Sequence, residues 1–129
     1  MKLTRCIPAA DGGSRLVEAD IPIDHAGTDL HGNTLFHHSA TMSAEGVVLA
    51  EFPQGFAMDW HPAPRRQLAI VLSGTAEFEA SDGTKLRFTD GQVLLADDVG
   101  SRGHRARTIG GPVRVLFVHL PPDADIGDL

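Results

Sequence analysis

An all-β fold, one domain closed into a barrel or a sandwich, is what this sequence predicts. Turn-forming residues recur at short intervals from the middle of the chain onward, and the segments between them suit strands. One segment, Thr75–Ala80, alternates strictly: Ala76, Phe78 and Ala80 on one face, Thr75, Glu77 and Glu79 on the other, the mark of a half-buried strand. Fourteen glycines and eight prolines in 129 residues supply tight turns, and no window from the middle onward carries a 3.6-residue period.

The elements follow in order. Glu45 to Phe52 contains Val47, Val48 and Leu49 and ends at Pro53 and Gly55, which predicts a strand. Gln67 to Ser73 is a continuous apolar run stopped by Gly74, and the alternating segment comes next. Ser81-Asp82-Gly83 reads as a hairpin turn, after which Leu86 and Phe88 continue an inward face. Asp90-Gly91 turns into Val93–Ala96, and Val113–Leu120 forms a last strand between Gly110-Gly111-Pro112 and Pro121-Pro122. Upstream, Arg15 to Ile23 suits a strand pair or an arm, Asp24 to Asn33 is polar and glycine-rich, and Leu35 to Ser39 suits a short strand. The chain thus divides into N-terminal strands or an arm over 1–44, a barrel core over 45–120 and a frayed acidic tail over 121–129. Closure into a jelly roll is favoured because it hides strand edges that would otherwise invite aggregation.

Composition narrows the function. The length suits one domain, and 42% hydrophobic with 22% charged residues is ordinary for a globular protein. A net charge of −6 argues against nucleic acid as a partner, since phosphate binding needs a concentrated basic face. Arg102, Arg105 and Arg107 do cluster, but Asp97 and Asp98 precede them, which reads as a solvated, salt-bridged loop. Cys6 is the only cysteine, so intrachain disulfides and cysteine-based zinc clusters are excluded, and with no activating neighbour in sequence it reads as an inert thiol. No secretory leader is evident, and the longest apolar run, Leu68 to Leu72, is too short to span a bilayer, so the expected compartment is the cytoplasm, away from membranes.

One constellation carries chemistry. Gly55 is followed at intervals by His61, Ala63, Gln67 and Gly74; downstream come Gly91, Asp97, Gly100, Gly103, His104 and Thr108. The first set resembles the first motif of the cupins: Gly, five residues, His-x-His, three or four residues, Glu, six residues, Gly. The second resembles the second cupin motif with a loop two residues longer, Thr108 standing where an Asn is usual. The likeness covers roughly residues 45 to 120 and implies a double-stranded β-helix, the cupin jelly-roll barrel, commonly paired as a homodimer. Members with a metal hold iron, manganese, nickel or zinc through two histidines and a glutamate of the first motif and the histidine of the second.

Here the resemblance implies a metal set of His61, Gln67 and His104 at most, because Ala63 replaces the second histidine and Gln67 the glutamate. A missing carboxylate would have to come from Glu51 or Asp59, and His119 is a further candidate ligand. Without a metal, His61 and His104 suit acid–base catalysis, an imidazole titrating near neutral pH. Gln67 opens an apolar strand and points to ligand binding, as do Trp60 at the turn and Arg65, although the prolines at 62 and 64 disturb strand parity and surface ion pairs serve Arg65 and Arg66 equally well. Trp60 with its neighbouring phenylalanines suits core packing as much as stacking. His37 and His38 are adjacent and face opposite ways on a strand; His25 and His31 lie in loop-like sequence.

Three functions fit. One is a metal-free or weakly metal-binding lyase or isomerase acting on a small polar metabolite, its imidazole oriented by an aspartate such as Asp59. Another is a metal-dependent dioxygenase or isomerase, and the third a non-catalytic ligand-binding barrel. The sequence leaves open whether the protein is an enzyme; no bound cofactor is the leading expectation.

Overall fold

In the computed structural model, which describes residues 1–124, every regular element is a strand. These are β1 (Lys2–Pro8), β2 (Ser14–Asp20), β3 (His25–Thr28), β4 (Thr34–His38), β5 (Gly46–Phe52), β6 (Ala57–His61), β7 (Gln67–Ala80), β8 (Lys85–Phe88), β9 (Val93–Ala96) and β10 (His104–His119). Eight join one sheet in the order β2-β1-β9-β7-β10-β5, with β6 also paired to β10 and β8 to β7. β3 and β4 form a separate two-stranded hairpin.

β7 and β10 organise everything else. Gln67–Ser73 and Thr75–Ala80 are one strand rather than two, and the last strand begins at His104 rather than Val113. The glycines expected to end these strands bend them instead. Before the bend β7 pairs with β9 and with the second half of β10; beyond it β7 pairs with β8 and with the first half of β10. Two half-sheets therefore share two long strands, a jelly-roll arrangement with one interior.

The bend changes side-chain parity. Ala69 and Val71 face the interior on one side of Gly74, Ala76 and Phe78 on the other; along β10 the inward set passes from Ala106 and Thr108 to Val113 and Val115. Val71 is paired with Val115 and Thr75 with Ile109, so β10 spends two more residues than β7 in crossing the bend. A strand that kept strict alternation would turn its apolar side chains outward in the second half. Gly74 permits the crossing: its φ is +87°, and a Cβ there would run into the Pro112 carbonyl oxygen.

The core has two sides. Cys6, Ala69, Val71, Phe88, Leu94, Val113 and Val115 pack inside the fold. Leu3, Ile21, Leu68, Leu95 and Leu120 pack on the opposite face of the first half-sheet. β1 enters that sheet directly, parallel to β9, so residues 2–20 extend the barrel wall, while 25–38 stand apart as a projecting hairpin. Leu86 shares a face with the buried Phe88 but lies on an edge strand and is 40% exposed, contrary to its expected inward position. At the C-terminus Leu120 is buried and the Ala124 carbonyl accepts a hydrogen bond from Arg66 Nη1 (2.7 Å); of the tail expected over 121–129, residues 125–129 lie outside the described residues.

Gly74→Ala is expected to destabilise the fold by about 3 kcal/mol, through left-handed backbone strain and the clash with Pro112. Thermal denaturation followed by circular dichroism measures this, and an unchanged midpoint would show that the bend does not depend on glycine.

Candidate functional site

A cavity of about 270 Å3 lies between the half-sheets. Its lining is mostly apolar, with Phe52, Phe56, Met58, Phe78, Phe88 and Phe117 contributing the largest side chains. Polar groups are few: His61, Gln67, His104 and Thr108, with Arg107 at the border. Thr108 Oγ1 is already engaged, accepting from the Phe56 N–H (3.1 Å) and donating to the Pro53 carbonyl (3.1 Å), which ties the β5–β6 turn to β10. The Arg107 guanidinium pairs with Glu77 at 3.0 Å. His61, Gln67 and His104 remain as the polar contacts open to a ligand.

Two local devices bring the histidines together. In the β6–β10 ladder Met58 pairs with Ala106 and His61 with His104, so three steps along β6 match two along β10. This bulge turns His61 to the same side as Met58 and leaves Asp59 and Trp60 outside. Gly103 supplies the second device: at φ +87°, a Cβ there would collide with the backbone carbonyl of His61 and the nitrogen of Pro62. The backbones of the two histidines approach closely because residue 103 has no side chain, and their ring centroids are 4.8 Å apart.

Behind His104 sits Asp98, wholly buried. His104 Nδ1 donates to Asp98 Oδ2 at 2.7 Å, and the Ala63 N–H donates to Oδ1 at 3.2 Å. Burial alone would raise the carboxyl's pKa, but the hydrogen bond and charge of His104, with the Ala63 N–H, outweigh it and hold Asp98 below its ordinary value. Asp98 is therefore an anion at neutral pH. Cys6 completes the cluster, each of the three offering an atom within 4.8 Å of the others. Burial, then the Asp98 charge, push the Cys6 thiol up to about 12, so the sulfur stays protonated. Ser14, also fully buried, donates from Oγ to the Gly103 carbonyl (2.6 Å) and braces the residue before His104.

Several sequence expectations change here. Asp97 and Asp98 do not form a solvated loop with the downstream arginines. Asp97 is held by Arg5, through Nε at 3.1 Å and through Nη2, and by Arg66 Nε at 3.0 Å; Asp98 is turned inward. Arg102 instead meets Asp11, and Arg105 and Arg107 pair with Glu79 and Glu77. The aspartate that orients an imidazole is Asp98 rather than Asp59: Asp59 is exposed, and only its carbonyl oxygen takes the His61 Nδ1–H, at 2.7 Å.

Glu51 faces outward and pairs with Arg114 at 3.0 Å, and neither it, Asp59 nor His119 lines the cavity. Trp60 is 40% exposed beneath the Arg105 guanidinium, 4.8 Å from its ring centre, and Arg65 is exposed; neither lines the cavity. Gln67 does, and its amide has no hydrogen-bond partner among the described residues.

The buried, protonated Cys6 agrees with its reading as an inert thiol, whereas the place of Asp98 behind His104 is not among the sequence expectations, although a signal for it exists. Leu94 and Ala96 both line the cavity, and extending their two-residue period reaches Asp98 while sending Asp97 to the other face.

The cavity's donor set, two imidazoles and one neutral amide, supplies no negative charge, and the nearest carboxylate is occupied behind a ring nitrogen. This does not fit a firmly held divalent cation, for which oxygen anions or further imidazoles are needed.

No family model matches the chain, and no curated protein matches it. Among solved structures it is similar to a cupin 2 conserved barrel domain protein from Leptotrichia buccalis, at 18% identity and a TM-score of 0.50; the match covers 63% of this chain and 39% of that one, so this chain spans well under half of its length. A conserved protein of unknown function from Streptococcus pyogenes matches at 20% identity and a TM-score of 0.48 over 64% of this chain and 70% of that one. A protein from Neisseria meningitidis matches at 13% identity and a TM-score of 0.48 over 63% and 84%. With the half-sheets sharing β7 and β10 and the spacing from Gly55 to Gly74, the likeness to the Leptotrichia buccalis barrel identifies the chain as a cupin-fold domain.

Proposed function

We propose that this domain binds a small, largely apolar molecule in its interior and moves a proton on it without a metal, as a lyase or isomerase does. The observation that carries this reading is the 2.7 Å hydrogen bond from His104 Nδ1 to the buried Asp98 carboxylate at the polar end of an apolar cavity. An anion behind an imidazole stabilises the imidazolium that forms when the ring accepts a proton, and fixes which nitrogen accepts it. Exclusion of water strengthens both effects. The lining supports a more apolar ligand than the polar metabolite expected from the sequence.

In such a step His104 Nε2 takes a proton from a carbon next to a carbonyl. The C–H pair becomes the new C=C bond and the carbonyl π pair moves to oxygen. The proton then passes from Nε2 to that oxygen, or back to carbon. Gln67 donates its amide N–H to that oxygen as charge builds there, and His61 Nε2, its proton being on Nδ1, accepts from the O–H once the enol has formed.

Phenylacetone or phenylacetaldehyde incubated with the protein in deuterated water tests this. Proton NMR is expected to show exchange at the carbon next to the carbonyl well above the buffer rate. His104→Ala should slow it by about 10²–10⁴-fold, the usual worth of a positioned general base. Binding with exchange no faster than in buffer, for both probes, would leave a non-catalytic binding barrel.

Asp98→Asn should slow exchange and also weaken the fold, by about 2–3 kcal/mol for a charge-assisted hydrogen bond inside the protein. Because the folded carboxyl's pKa lies below its unfolded value, near 3.9, its contribution is complete above that pH and is lost as pH falls through the folded value. Denaturant titrations at pH 7 and pH 3 should therefore show a large gap between wild type and Asp98→Asn at pH 7 and a smaller one at pH 3. Equal gaps would mean that the carboxylate's charge plays no part.

We also propose a homodimer. A two-stranded hairpin is marginal in water by itself, yet β3–β4 pairs with no strand of the main sheet and exposes Leu30, Leu35 and Phe36, while edge strand β5 exposes Val47 and Leu49. Hairpin against β5 of a second copy, repeated by two-fold symmetry, would cover both. Light scattering should give twice the 13.7 kDa chain mass, and Leu35→Asp with Phe36→Asp should give the monomer; a wild-type monomer at micromolar concentration counts against pairing. Among the described residues no helix is long and apolar enough to cross a membrane, and a buried, protonated free thiol suits the reducing cytoplasm.

A further inference from the structure

The hydrogen bonds behind the two histidines fix what their front edges offer. His61 Nδ1 lies 2.7 Å from the Asp59 carbonyl oxygen, which only accepts, so Nδ1 carries the proton. His104 Nδ1 lies 2.7 Å from the Asp98 carboxylate, an anion at neutral pH, so its Nδ1 carries the proton as well. Neither Nε2 has a hydrogen-bond partner among the described residues, while both rings line the cavity. In their neutral forms both rings therefore turn an unshared electron pair toward the ligand.

We propose that this pocket selects a neutral apolar molecule by a hydrogen-bond donor at its head: a phenol, or the enol form of a small aryl ketone or aldehyde. This rests on the reading of the cavity as a small-molecule site and names the class of molecule that it takes. The head donates to Nε2 of His61 or His104, and Gln67, with a donor and an acceptor on one amide, meets the same oxygen. A carboxylate head is disfavoured because it would face two acceptors and the Asp98 charge behind them inside an apolar wall. An ether head is disfavoured because it has no proton to give. The body of the molecule meets Phe52, Phe78, Phe88 and Phe117, which suits a flat ring. A cavity of about 270 Å3 has room for a ring with its substituents, an engineered cavity of roughly 150 Å3 being enough for benzene.

The same wall accounts for how an enol would be favoured over its ketone. The ketone's carbonyl brings an acceptor to two acceptors, and only the Gln67 amide can serve it. Its enol brings a donor and pairs with a ring nitrogen. Selecting the enol is the same preference as selecting a phenol, expressed within one compound.

Isothermal titration with 4-methylphenol, 4-methylanisole, toluene and 4-methylbenzoate tests the proposal on the full chain at pH 7.5. The expected order is 4-methylphenol first, at least tenfold tighter than 4-methylanisole and toluene, with 4-methylbenzoate weakest. His61→Ala with His104→Ala should reduce the phenol's advantage to less than twofold while toluene binding persists. Should that variant fail to fold, long-range proton–nitrogen NMR of the wild type gives a separate readout. Both rings should show protonated Nδ1 and unprotonated Nε2, and 4-methylphenol should shift the Nε2 resonances.

Equal binding of phenol, ether and toluene would overturn the donor-head proposal and leave the apolar site standing. Protonated Nε2 on both rings would overturn it too, as would tighter binding of 4-methylbenzoate. Failure of all four probes to bind would remove the cavity as a ligand site, and the proposed function with it.

Discussion

The constraint on which this molecule depends is that β7 and β10 must keep the same face turned inward on both sides of a bend. Each strand is too long for one flat half-sheet, and side chains alternate with a period of two, so a bend without a parity change would expose the second half's apolar set. Gly74 and the Gly110-Gly111-Pro112 segment make that change together, β10 taking two more residues to do it. Once it is made, the remaining strands attach to a frame already facing inward: β9 and β1 along one edge, β5 along another, β6 and β8 beyond the bend. The cavity is the space left between two halves that face one another but are joined only through those strands.

That frame also determines the chemistry at the cavity's end. His104 opens β10 and His61 closes β6, and they meet because a bulge in β6 turns His61 inward where Gly103 lets the backbones touch. Asp98 arrives from β9 by plain continuation of the Leu94 and Ala96 alternation. Three separate stretches of chain therefore deliver one carboxylate and two imidazoles to a single point, and the apolar lining keeps them poorly hydrated. A titratable cluster in such surroundings is tuned by its own hydrogen bonds more than by solvent. Cys6 follows the same rule from the other side: the burial and negative charge that give Asp98 its influence keep the thiol protonated.

How far the sequence could be read follows from which of these features are local. Alternation over Thr75–Ala80 and the turn at Ser81-Asp82-Gly83 are local, and they place β7 and its hairpin with β8. The spacing from Gly55 to Gly74 put His61 and Gln67 at the cavity, and the glycine-bearing loop put His104 there. Gly74 and Gly110 look like strand ends in sequence because glycine breaks a strand and bends one with the same local signature; only pairing with a neighbour tells the two apart. Within the N-terminal strands or arm expected over 1–44, β1 has no clear boundary in sequence, since Lys2–Pro8 mixes charged and apolar residues and finds its place through the parallel ladder with β9. Asp98 was obscured by Asp97: two adjacent acids look like one solvated patch until strand parity sends them to opposite faces. Trp60 and Asp59, next to His61 in sequence, were drawn toward the site by proximity and are excluded from it by the bulge.

The position of the carboxylate distinguishes this site from one built around a metal. A carboxylate beside an imidazole, aimed at the same point in space, adds negative charge where a cation would sit. Behind the imidazole, bonded to Nδ1, it keeps that charge away from the cavity, fixes the ring's orientation and leaves Nε2 as the free edge. Here the positions that would offer a front carboxylate and another imidazole hold Gln67 and Ala63, and the Ala63 backbone N–H serves as a support for Asp98. The residue that has no donor side chain thus still contributes to the site, through its main chain and from the rear. A barrel arranged in this way holds its buried Asp98 carboxylate behind one imidazole, where it fixes which ring nitrogen bears the proton and leaves none of that charge facing the cavity.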